Sequence, residues 1–150
     1  MPIPATPDRF WRRLFLGLLA VGALLTLLVF RDFGVTWDEE GQNAYGRMVA
    51  RWYLSLFQDR SALTFSNLYL YGGLYELMVQ PWLSLARLLR ADEWEVRHLV
   101  NMGAALVGVG FTYRLGSFFG SARTGFFAAL FLLLTPVYVG HAANNPKDLP

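Results

Sequence analysis

Three stretches of the chain, residues 14–30, 98–113 and 124–145, carry no formally charged side chain. A helix that crosses the hydrocarbon core of a bilayer needs about 20 predominantly apolar residues, so these stretches predict three membrane spans, at 14–30, 97–115 and 124–143. A fourth apolar stretch, LYLYGGLYELMVQPWLSLARLL at 68–89, is interrupted by Glu76, Gln80, Pro81 and Arg87. Placing a charge at the bilayer centre costs about 2.5–3.5 kcal/mol on insertion scales. Wound as a helix, the stretch puts Gly73, Glu76, Gln80, Ser84 and Arg87 on one stripe and its leucines opposite. That pattern predicts a helix lying in the membrane interface. The alternative is a span whose polar stripe turns into a bundle.

Composition agrees with a membrane protein. The 150 residues are 55% hydrophobic and only 16% charged, with a mean hydropathy of +0.34, high for a chain that must keep a polar surface in water. The net charge of +2, with no basic run interleaved with aromatics, argues against a nucleic-acid face. The absence of cysteine removes disulfides and thiolate metal sites from consideration.

Charge also orients the chain. Arg9, Arg12 and Arg13 precede the first span, and Arg31-Asp32-Phe33 follows it where a cleavable leader would carry small residues. These features predict an uncleaved anchor with residues 1–13 as a cytoplasmic tail. Three spans then put the loop 31–96 outside, Arg114 and Arg123 inside, and residues 144–150 outside again. The expected fold is an all-α integral membrane protein with three transmembrane helices and interfacial amphipathic helices in a long first external loop.

Just past the first span stands VTWDEE, residues 35–40. Thr36 and Glu39 have the spacing of a capping box, which predicts a helix start. Tyr45, Met48, Val49, Trp52 and Tyr53 then recur at helical spacing opposite Asn43, Arg47 and Arg51, so this helix should lie along the outer surface. A capping box uses one glutamate, which leaves Asp38 and Glu40 unexplained. A carboxylate held at a membrane face can take a proton from an acceptor hydroxyl or ligate a metal once a second polar cluster meets it. HAANNPKD at 141–148 is the candidate for that cluster; the plainer alternative is a helix-ending turn with solvated charges.

These residues resemble a family: an Asp38-Glu39 pair after the first span, an aromatic-rich loop, Trp94-Glu95-Val96-Arg97 opening the next span, and Asn145-Pro146-Lys147-Asp148 closing the third. The order is similar to that in membrane glycosyltransferases of the C superfamily (GT-C), in particular the protein O-mannosyltransferase and aminoarabinose-transferase group. The resemblance implies that the chain is the N-terminal part of an enzyme, inactive by itself, that transfers a sugar from a polyprenyl-phosphate donor to a lipid, glycan or protein hydroxyl, with inversion. It implies Asp38 (as base or acceptor-binding carboxylate) and Asp148 as catalytic carboxylates, with Glu39, Lys147 and Asn145 in support and Arg97 as a helper near the lipid phosphate or the loop, acting on the external side of a bacterial inner membrane. The partners would be the lipid-linked donor, membrane lipid and the acceptor. The hard oxygen ligands leave a divalent metal open, with no spacing that dictates its coordination. Two other readings compete: a transporter or channel subunit with Glu76 and Gln80 lining a polar path, and an assembly protein packed through Gly103, Gly108 and Gly110.

Overall fold

The computed structural model describes residues 8–147, which form helices and turns with no strand. Helix α1 runs Asp8–Val29. It begins earlier than the apolar run, so Arg9, Arg12 and Arg13 are helical rather than part of a tail. Their long stems can lie along the apolar surface while the charges stay in water, which lets the helix extend past its hydrophobic segment. Only Phe15 and Thr26 of α1 are buried, and leucines such as Leu16 (63% exposed) and Leu28 (65%) face outward. Among the described residues, α1 is the one helix long and apolar enough to cross a membrane.

Helix α2 spans Trp37–Leu54. Two short 3₁₀ turns, Ser61–Thr64 and Leu68–Leu70, lead to α3, Leu74–Leu89, which contains Pro81. No continuous helix crosses 68–89, and the 16 residues of α3 fall short of the roughly 20 that a span needs.

Helix α3 keeps its leucines outward, as an interface helix would, but turns part of its polar stripe into the bundle. Glu76 and Gln80 are buried beside Val79, Leu83 and Ala86, whereas Leu74, Met78, Leu85, Leu88 and Leu89 are exposed. Ser84 and Arg87 stay at the surface, where Arg87 meets Glu93 at 3.3 Å. A helix facing water hides its leucines; one facing lipid gains by hiding its polar groups instead.

Helix α4, Glu93–Phe119, has 27 residues and starts on Asp92, whose side chain accepts from the backbone N–H groups of Trp94 (2.8 Å) and Glu95 (3.0 Å). It runs antiparallel to α1. Phe15 stacks on Tyr113 with ring centroids 3.8 Å apart, and Arg31 reaches Glu95 at the far end at 3.0 Å. Helix α5, Ala122–Leu133, folds back on α4. There a Cβ on Gly116 would sit 2.9 Å from the Gly125 Cα, so two glycines bring the backbones together. Phe15, Val109, Tyr113 and Ala129 form the core of this α1/α4/α5 bundle.

The expected single helix over 124–143 is broken. Thr135 gives its hydroxyl to the Phe131 carbonyl (2.8 Å), and Pro136 opens a separate helix α6, Pro136–His141. Proline has no N–H to continue the ladder, and its ring clashes with the preceding turn. Tyr138 of α6 bonds the Ala105 carbonyl at 2.6 Å, which returns the chain to α4.

Candidate functional site

Where α2, α3 and α4 meet, the interior is polar. Glu39, Gln42 and Asn43 come from α2, Glu76 and Gln80 from α3, and Arg97, His98 and Asn101 from α4, all buried. Each set recurs at three- or four-residue spacing, so each helix turns one polar stripe toward the others. Close approach of α2 and α3 depends on Gly46. A Cβ there would lie 2.5 Å from Gln80 Nε2 and 3.0 Å from Glu76 Oε2. Gly46→Ala is therefore expected to destabilise the fold by about 1–3 kcal/mol, the usual cost of overpacking. A thermal melt that matches wild type would show that the helices are not locked at this point.

One ion pair and one carboxylate–imidazole contact organise the cluster. Arg97 Nη2 donates to Glu76 Oε1 at 2.5 Å, with both side chains almost wholly enclosed. Burial pushes the Glu76 carboxyl above its ordinary value, and the Arg97 guanidinium pulls against that shift. His98 Nε2 lies 3.1 Å from Glu39 Oε1, off the line of a well-formed hydrogen bond. For Glu39 burial again pushes upward, but His98 and the Thr36 N–H outweigh it and the carboxyl ends below its ordinary value.

Thr36 is the N-cap of α2, as its spacing with Glu39 predicts, and its backbone N–H donates to Glu39 Oε2 at 2.7 Å. Glu39 thus performs two tasks, holding the helix start and facing His98. Its neighbours on either side, Asp38 and Glu40, are exposed. Asp38 has no hydrogen bond or ion pair among the described residues. It stands one turn before Gln42 on the same side of α2.

The chain after α6 is tied to this cluster from two directions. Thr36 donates its hydroxyl to the Asn144 carbonyl (3.2 Å), and Asn101 donates to the Ala143 carbonyl (2.8 Å) while accepting from the Tyr75 hydroxyl. Asn145 meets His141 Nδ1 at 2.9 Å, and Lys147 Nζ sits 4.0 Å from the centre of the Tyr71 ring. The two polar segments expected to meet outside the first and third spans do adjoin, through Thr36 and Asn144. Asp148 lies outside the described residues. Arg97, expected beside a lipid phosphate or the loop, is enclosed with Glu76.

An apolar groove of about 1050 Å³ opens from the cluster. Gln42, Glu76 and Lys147 stand at its polar end, and Val100, Val107 and Phe111 line its length. The α4 wall from Val96 to Phe111 rises about 22 Å at 1.5 Å per residue. Among the described residues, no three His, Cys, Asp or Glu side chains are grouped to hold a metal ion.

Sequence reasoning missed His98 and Asn101, and treated Glu76 and Arg97 as unrelated. The available signal was ionisable residues within otherwise apolar helices, because such groups seek one another in the interior. No family model, no curated protein and no solved structure matches the chain.

Proposed function

We propose that this chain forms part of an inverting glycosyltransferase that draws on a polyprenyl-phosphate sugar at the outer face of a membrane. The observation that carries this reading is the junction of two unlike surfaces. Glu76 and Gln42 belong both to the buried polar cluster and to the mouth of a long apolar groove. A ligand matching both surfaces has a polar head and an extended apolar tail, which is the form of a lipid-linked sugar.

In this reading α1, α4 and the α5/α6 pair are the three crossings. Arg97 and Arg114 bracket the apolar part of α4, a rise of about 26 Å and close to the roughly 30 Å of hydrocarbon. The prenyl chain lies along α4 and the phosphate is near Lys147. Asp38, exposed one turn from Gln42, accepts the proton of the acceptor hydroxyl as its oxygen bonds to the anomeric carbon. The anomeric carbon–phosphate oxygen bond breaks in the same displacement, and its electron pair leaves with the lipid phosphate, whose charge Lys147 balances. Direct displacement inverts the anomeric centre. Asn145 belongs to the acceptor side and Asp148 is the second catalytic carboxylate, while Glu39 and Arg97 keep α2, α3 and α4 in register as positioning residues.

The absence of native cysteine makes sidedness directly measurable. Glu40→Cys and Asn145→Cys are both expected to react with a membrane-impermeant thiol reagent on intact cells, and Ser121→Cys, exposed in the connection between α4 and α5, only after permeabilisation. Labelling of Ser121→Cys alone on intact cells would put the polar cluster inside and end the proposal.

A further inference from the structure

A second groove, of about 980 Å³, lies between α1 and α4 at the end opposite the polar cluster. Its floor is apolar, formed by Leu16, Leu19 and Ala23 of α1 against Leu106, Gly110 and Phe111 of α4. At its mouth are two arginines, Arg12 and Arg114. The antiparallel register that stacks Phe15 on Tyr113 puts both at one level.

Among the described residues neither guanidinium is engaged. Arg12 and Arg114 are exposed, and neither has a hydrogen bond, ion pair or ring contact among the described residues. The neighbouring Arg123 differs, since its guanidinium lies over the Trp11 and Phe127 rings at 5.6 and 5.9 Å. Two unpartnered positive charges above an apolar slot on a helix able to cross a membrane complement an anion that carries a hydrocarbon chain. From Arg12 to Ala23 the slot follows α1 for about 16 Å, enough for most of one acyl chain.

We propose that this groove is a binding site for an anionic phospholipid of the leaflet on the arginine-bearing side, the phosphate held between Arg12 and Arg114 and one acyl chain laid against Leu19 and Leu106. Basic pockets between membrane helices are known to select anionic headgroups in this way. The site rests on the embedding of α1 and is independent of any transfer chemistry at the other end.

The test uses the full chain in phosphatidylcholine nanodiscs containing a small fraction of phosphatidylglycerol with a photoreactive group midway along one acyl chain. Crosslinks are expected at residues 16–23 and 106–113, at least tenfold above those from the matching phosphatidylcholine probe. Each lost arginine should lower labelling about fivefold, so Arg12→Gln with Arg114→Gln should lower it more than tenfold. A second variant leaves the charges in place. A Cβ on Gly110 meets nothing within 4 Å and Gly110 lines the groove, so Gly110→Leu extends into the slot and should abolish labelling. Equal labelling by the two headgroups, or labelling that survives either variant in a protein with wild-type helicity, overturns the site.

Discussion

Arg97→Ala is expected to cost about 3–5 kcal/mol of stability, the penalty for leaving one member of a buried ion pair without its partner. Glu76 would remain enclosed, with the negative Glu39 close enough to raise its pKa further. The only escape is to bind a proton or to open the α2/α3/α4 junction to water. Against a typical total stability of about 5–15 kcal/mol, that loss should appear as a large fall in the thermal unfolding midpoint in detergent. The double variant Glu76→Gln/Arg97→Met removes both charges and should recover most of the loss, since buried pairs are often replaced by neutral groups at little cost. A single variant as stable as wild type would mean that water reaches the pair.

The second large effect concerns Glu39, whose carboxylate serves both Thr36 and His98. Glu39→Gln keeps an acceptor for the Thr36 N–H but loses its charge, and should cost about 1.5–3 kcal/mol at neutral pH, as expected for a hydrogen bond to an ionised group. The sign of the pH dependence follows from the direction of the shift. A carboxyl depressed in the folded state stabilises the fold above its unfolded value, about pH 4.3, and loses that contribution as pH falls through the lower folded value. Glu76 acts oppositely: its raised value makes ionisation costly, so mild acidification relieves it. Wild type should therefore lose stability below about pH 4.3, while Glu39→Gln should show a shallower acid limb. Parallel acid limbs for the two proteins would assign the dependence to other carboxylates.

The sequence made some of this legible for clear physical reasons. The apolar run 14–30 and the Thr36/Glu39 spacing are local signals that tertiary contacts do not need to decide, and the end of α1 and the start of α2 stand where they predict, although α1 begins earlier. The 68–89 pattern separates the leucines, which do face outward, from the polar stripe, of which Glu76 and Gln80 turn into the bundle while Ser84 and Arg87 stay at the surface. Periodicity reports that Glu76 and Gln80 share a side of a helix, and only the surrounding solvent determines which side is buried. The break before Pro136 was visible as a proline, but a run without charges suggested continuity. Pairing across the chain was least accessible: Glu39 with His98 and Glu76 with Arg97 join residues 59 and 21 positions apart, and no local pattern encodes such a match. Asp38 and Glu39 look alike in sequence; the helix turns one outward and the other into the cluster.

The central claim is that the polar cluster and the α3/α4 groove together receive a phosphate-headed prenyl lipid. It is tested most directly by photolabelling the reconstituted protein with a polyprenyl phosphate that carries a diazirine in its first isoprene units. Labelling is expected on α4 between Val96 and Gly103, the part of the groove wall next to the polar cluster, displaced by unlabelled polyprenyl phosphate but not by the uncharged polyprenol, and weakened about fivefold in Lys147→Gln, as for one basic residue at a lipid phosphate. Labelling spread evenly over the exposed faces of α1 and α4, with phosphate and alcohol competing equally, would contradict the account.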